Sequence, residues 1–172
     1  GTLYAGAASV RGASGGVFSS SDFGKTWQRL DGGAPLADVR QLAAKDGRVV
    51  ATARACWDGK RALQGGVFVR GPSERAWRQV YTNRFCEALA VDPRRPGRVY
   101  ASLHDHPYHD RSAGGGIIAS DDGGESWRSI NGSGLTCKGV TWISINPLDD
   151  NELWLGTGGH AAFVGEVGGL FR

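Results

Sequence analysis

Ser20-Ser21-Asp22-Phe23-Gly24-Lys25-Thr26-Trp27 recurs as Ser120-Asp121-Asp122-Gly123-Gly124-Glu125-Ser126-Trp127. Both octapeptides read S-x-D-x-G-x-[ST]-W, and their tryptophans stand 100 residues apart. Trp77 marks the midpoint, behind a weaker copy, Arg70-Gly71-Pro72-Ser73-Glu74-Arg75-Ala76. Tryptophans at a 50-residue spacing, each behind a related turn, identify a repeat protein.

Short β-type runs flank each turn. A Gly-Gly pair precedes it at Gly15-Gly16, Gly65-Gly66 and Gly115-Gly116, and opens the strands Val17-Phe18, Val67-Phe68 and Ile117-Ile118. Gly168-Gly169 opens a fourth such strand at Leu170-Phe171. Strands also start at the tryptophans: Trp27–Leu30, Trp77–Val80 and Trp127–Ile130 alternate apolar and polar residues, as half-buried strands do. Two further runs complete the unit. One includes Val39–Ala43, Ala88–Val91 and Val140–Ile145; the other includes Leu3-Tyr4, Arg48–Thr52, Arg98–Ser102 and Glu152–Gly156. No segment has a helical period. The unit is four short antiparallel strands, unable to bury both faces alone, so successive units stack as propeller blades. A β-sandwich also has closely spaced strands, but it requires no such self-similarity.

The two octapeptides resemble the Asp-box, or BNR repeat, of sialidases, the sortilin family, xyloglucanases and photosystem-assembly propellers. The resemblance spans the chain, with one degenerate box at its centre. It implies an all-β, β-propeller segment of four-stranded blades, with the box as the turn between a blade's third and fourth strands. The expected blades are 1–32 (partial), 37–82, 85–132 and 138–172 (partial), about three and a half in one propeller domain. Fourteen blade strands follow, and a closed ring calls for further blades from the same longer chain or another subunit. Within the box, Ser20, Asp22, Gly24, Thr26 and Trp27, and likewise Ser120, Asp122, Gly124, Ser126 and Trp127, take structural roles. Ser and Asp hydrogen-bond the turn, Gly adopts positive φ, and Trp packs under the hairpin. The aspartates lack the alternating oxygen ligands and distal Glu of a calcium loop.

The resemblance also places binding or catalysis on the face opposite the boxes, where second-to-third-strand loops and blade connections gather. The candidates there are Trp57, Arg61, His104, His106, Tyr108, His109, Arg111 and His160, with Trp57 and Tyr108 suited to stacking on sugars. His104, His106 and His109, with nearby carboxylates, are candidate ligands for a transition metal; the alternative is a solvated polar loop without cofactor. Asp58, Asp105, Asp110 and Glu166 are the candidate catalytic carboxylates. Sialidase chemistry uses three arginines and a Tyr–Glu pair, and the family's Arg-Ile-Pro segment is absent. Xyloglucanases use two aspartates facing a cleft between two propellers, and no such pair is assignable. Trp142 and Trp154 lie within strands and are expected in the core or between blades.

Composition narrows the classes. Hydrophobic content of 40% and charged content of 22% suit a globular chain. The net charge of +3 is spread without a Lys/Arg block, so no nucleic-acid footprint is present. No apolar run approaches the roughly 18 residues of a transmembrane segment. Arg outnumbers Lys 16 to 4, in keeping with a GC-rich bacterial coding sequence. The chain has no Met, which points to a processed or excised piece of a longer protein. A secreted or periplasmic location is expected. Cys56 and Cys86 are expected to approach on the loop face, with a disulfide possible there, and Cys137 is the third cysteine. Asn131-Gly132-Ser133 fits a glycosylation sequon.

The function expected is non-catalytic binding or scaffolding of a protein or carbohydrate ligand through the loop face. The alternatives are a glycoside hydrolase with catalytic carboxylates partly outside this chain, and a structural module of a larger extracellular assembly.

Overall fold

The computed structural model describes residues 1–9, 15–30, 32, 34, 36–57, 60–104, 114–135, 139–158 and the backbone of 170–171. Every regular element among them is a strand. The chain divides into two compact units, Gly1–Arg84 and Phe85–Arg172.

In the first unit, β1 (Leu3–Ala7), β2 (Gly16–Ser20) and β3 (Gln28–Arg29) form a three-stranded antiparallel sheet. A four-stranded sheet joins β4 (Val39–Lys45), β5 (Arg48–Ala53), β8 (Gly66–Arg70) and β9 (Arg78–Thr82). Between β5 and β8 the chain makes an additional hairpin, β6 (Cys56–Trp57) with β7 (Ala62–Leu63). In the second unit, β10 (Cys86–Val91), β11 (Val99–Leu103), β12 (Gly116–Ser120) and β13 (Arg128–Ser129) form a four-stranded sheet. The last sheet is β14 (Val140–Ile145), β15 (Leu153–Thr157) and β16 (Leu170–Phe171). Strand order follows chain order in every sheet. These are propeller blades, two complete and two partial.

The alternation of side chains explains the packing. In the first sheet Tyr4 and Val17 share a face, and they join the core formed with Val49, Ala51, Phe68 and Trp77 of the second sheet. In the second unit Tyr100, Ile117 and Ala119 meet Val140, Ile143 and Leu155 of the last sheet. The second strands β5 and β11 of the four-stranded sheets bury nearly every side chain. Burying each such aliphatic side chain contributes roughly 1.5–3 kcal/mol.

Each first strand of the last three sheets carries the same irregularity. The register shifts between Val39 and Gln41, between Cys86 and Leu89, and between Val140 and Trp142. In the second unit the bulge is secured by Ser102, whose Oγ accepts a hydrogen bond from the Ala88 amide at 2.8 Å.

Trp142 and Trp154 do not lie in the core. They are 48% and 37% exposed, on the face of the last sheet opposite Ile143 and Leu155. Their strand pattern determines which side chains share a face, but coverage depends on what packs there. The Cys56–Cys86 disulfide is also absent: Cys86 is a wholly buried thiol, and burial pushes its pKa well up. It is an inert core residue.

Candidate functional site

Each sheet has two chemically distinct ends. At one end, the second-to-third-strand loop bonds to the connection entering or leaving the sheet. Ala55 N donates to Arg84 O at 2.7 Å, His104 N to Phe85 O at 2.8 Å, and Gly158 N to Gly139 O at 2.9 Å. At the other end lie the first-to-second-strand turn and the S-x-D-x-G-x-[ST]-W turn, linked in the second unit by Gly123 N to Gly97 O at 2.7 Å.

The octapeptide turns are closed systems. Ser20 Oγ donates to Asp22 Oδ1 at 2.7 Å and accepts from Gly24 N at 2.8 Å. Asp22 then accepts from Thr26 N at 2.9 Å and from Thr26 Oγ1 at 2.6 Å. Ser120, Asp122, Gly124 and Ser126 repeat this network at 2.7, 2.8, 2.9 and 2.5 Å, and Asp122 also receives the Glu125 amide. Gly24 and Gly124 sit at φ 85° and 92°. With their carboxylates saturated by local donors, these turns hold the hairpin and leave little free chemistry. The degenerate copy uses a different device: Glu74 Oε2 accepts from Gly71 N at 2.7 Å.

These networks set an acid response. Hydrogen bonds from the Thr26 hydroxyl and amide, and from Ser20, lower the Asp22 pKa from 3.8 to about 2. Ser126 and Ser120 hold Asp122 lower still. A carboxylate with a depressed folded pKa stabilises the fold above its unfolded pKa, and that contribution is lost as pH falls through the folded value. Urea midpoints are therefore expected to fall as pH drops from 3.8 toward about 2. Asp22→Asn should flatten that fall, and an unchanged slope would contradict the assignment.

One of the four positions at which the two turns differ bears on the backbone. Phe23 adopts φ 60° where the second turn has Gly123 at φ 76°. Left-handed backbone costs an L-residue roughly 1–2 kcal/mol, against about 0.5–1 kcal/mol for the greater unfolded freedom of Gly. Phe23 is 86% exposed, so its side chain contributes little burial. Phe23→Gly should raise the thermal midpoint modestly; a lower midpoint would show that the ring makes a stabilising contact.

At the connection end, the β6–β7 hairpin presents Trp57, 64% exposed. Arg61 and Lys60 are exposed beside it, while Arg54 and Arg84 occupy the adjoining loop and connection. The expected loop at this place thus includes a short two-stranded ribbon, β6 paired with β7. The Asp58-Gly59 dipeptide between Cys56-Trp57 and Ala62-Leu63 is its signal in the sequence. His104 is half-buried, with its Nε2 3.5 Å from where a Cβ on Gly139 would stand, so its ring lies over that connection. Asp58, Asp105, His106, Tyr108, His109, Asp110, Arg111, His160, Glu166 and Cys137 lie outside the described residues. Among the described residues, no group of three His, Cys, Asp or Glu side chains converges as a metal site. No helix among them is long and apolar enough to cross a membrane.

Asn131 is committed to structure. Its Oδ1 accepts from Ile117 N at 2.7 Å and its Nδ2 donates to Gly115 O at 3.1 Å. Arg29 and Gln79 serve the same carbonyl in their own repeats, Gly15 O at 2.8 Å and Gly65 O at 3.0 Å. Both polar atoms of the Asn131 side chain are therefore engaged in the fold.

No protein-family model matches the chain, and no curated protein matches it in sequence. Its structure is similar to that of an ancestral GH74 enzyme, with TM-score 0.63 and 18% identity, covering 82% of this chain and 19% of that one. The GH74 xyloglucanase from Xanthomonas campestris gives 0.62 and 20%, covering 81% and 22%. YCF48 bound to D1 peptide gives 0.51 and 23%, covering 84% and 41%. The chain therefore spans well under half the length of each of these propellers, and at such identities the likeness shows the fold alone.

Proposed function

We propose that this chain is part of an Asp-box propeller that binds a protein ligand, an acidic peptide segment, at the connection end of its sheets. The observation that carries this reading is Trp57, 64% exposed at the end of β6 where it pairs with β7, with Lys60 and Arg61 exposed beside it. A large aromatic held on a ribbon offers contact area at low entropic cost, and neighbouring cations select acidic partners. The box turns at the other end are occupied with their own hydrogen bonds. A propeller of similar structure, YCF48, is known bound to a D1 peptide, which is a precedent for peptide binding by this fold. The GH74 likeness supplies the competing reading, a glycoside hydrolase.

One comparison separates them. A library of acidic peptides is titrated against the chain, followed by tryptophan fluorescence, and xyloglucan is offered as substrate. Trp57→Ala should weaken peptide binding at least about tenfold, as loss of an anchoring aromatic does. Absence of acidic-peptide binding, or reducing sugar released from xyloglucan, would overturn the proposal.

A further inference from the structure

Of Asn83, Asn131, Asn146 and Asn151, only Asn131 precedes a glycine. An asparagine in that setting can lose its side-chain nitrogen without any enzyme, because the following backbone nitrogen is sterically free to attack the carboxamide. Gly132 meets the condition: nothing lies within 4 Å of where its Cβ would stand. Residues 131–134 are exposed, so water and base reach the dipeptide.

The fold holds that chemistry back. Ile130 N donates to Ile117 O at 3.0 Å, which extends the β12–β13 backbone ladder by one bond. The Asn131 carboxamide then continues the ladder in place of main chain. Its Oδ1 accepts from Ile117 N at 2.7 Å, and its Nδ2 donates to Gly115 O at 3.1 Å. Gly116, at φ 111°, leaves room for it: a Cβ there would come 2.0 Å from Asn131 Oδ1. The carboxamide is thus tied at both polar atoms and seated where a neighbouring side chain would otherwise stand.

We propose that Asn131-Gly132 is a self-modification site, gated by release of the Asn131 side chain from β12. Once the side chain is released, the Gly132 backbone nitrogen gives up its proton and attacks Asn131 Cγ. A C–N bond forms, the Cγ–Nδ2 bond breaks, and Nδ2 leaves as ammonia with that proton. The product is a five-membered succinimide. Water then opens the ring at one carbonyl or the other, giving aspartate or isoaspartate. No oxidant or cofactor is consumed.

The change runs one way. A carboxylate has no donor for Gly115 O, and its negative oxygen would stand against that carbonyl. The isoaspartate backbone is one methylene longer, which puts the chain after Ile130 out of step with β12. A transient opening of the sheet is therefore recorded as a lasting one.

Peptide-mapping mass spectrometry of the chain, aged in mildly alkaline buffer with and without guanidinium chloride, tests this. Modification at residue 131 should be at least about tenfold faster in the unfolded chain, the factor set by losing two net hydrogen bonds. Gly132→Ala should slow it in both conditions and leave the denaturation midpoint in place. Gly116→Ala displaces the carboxamide and should raise the native rate toward the unfolded one. If that variant loses its strand circular dichroism, sub-denaturing guanidinium replaces it, and modification should then rise in step with hydrogen exchange at the Ile117 amide. In the modified fraction of the native chain, that amide should exchange faster than in the unmodified fraction. Equal rates with and without denaturant would overturn the gate, and no modification at residue 131 in the unfolded chain would overturn the site. Unchanged Ile117 exchange in the modified fraction would overturn the one-way release.

Discussion

Gly66→Ala is expected to destabilise the first unit strongly. A Cβ at Gly66 would come 1.9 Å from the Tyr81 carbonyl oxygen and 3.1 Å from Gln79 Nε2. The backbone there is also at φ 149°, where L side chains are strained. The clash is with main chain in β9, so relief requires the β8–β9 ladder to shift. The cost should be about 3 kcal/mol or more, a large share of a small unit's stability. Gly132→Ala is the control: nothing lies within 4 Å of its added Cβ, and the change should stay within roughly 0.5 kcal/mol. Chemical denaturation of the two variants measures the contrast. Equal midpoints would show that the Gly-Gly pair is not a steric requirement.

The second large effect is Trp77→Ala. Trp77 is 7% exposed, packs in the core of the first unit, and donates from Nε1 to Leu30 O at 3.0 Å. Truncation removes a wide aromatic surface, opens a cavity and takes away that carbonyl's partner, at a cost of about 4 kcal/mol. Trp27, at the same repeat position, is 44% exposed, and Trp27→Ala should cost about 1 kcal/mol. The degenerate turn therefore carries the most important tryptophan of its unit, although its motif is the weakest. Comparable losses for the two variants would contradict the burial assigned to them.

That contrast shows where the sequence is readable. The 50-residue period, the Gly-Gly pairs and the alternation of Val17-Phe18 or Tyr100-Ala101 are local signals, and they define strands, order and phase. Burial of a face is non-local. Trp27 and Trp77 have the same spacing and related turns, yet one is covered by a neighbouring strand end and the other is not. Trp142 and Trp154 look like core residues for the same reason, since their strand pattern says nothing of what lies above them. The bulge after Val39, Cys86 and Val140 left no pattern that alternation detects, because it is a pairing property of two strands. The β6–β7 ribbon had its signal in Asp58-Gly59, but each arm is only two residues long. Of the candidate site, Trp57 was legible as an exposed aromatic, and its place on a paired strand was not.

The division of labour between the two ends of the sheets is tested most directly by peptide affinity and thermal midpoint, measured together for Trp57→Ala and Trp27→Ala. Trp57→Ala should weaken acidic-peptide binding at least about tenfold with the midpoint unmoved. Trp27→Ala should lower the midpoint and leave the affinity intact. Loss of binding in the Trp27 variant, with the Trp57 variant unaffected, would place the recognition surface at the turns and rule out the connection end.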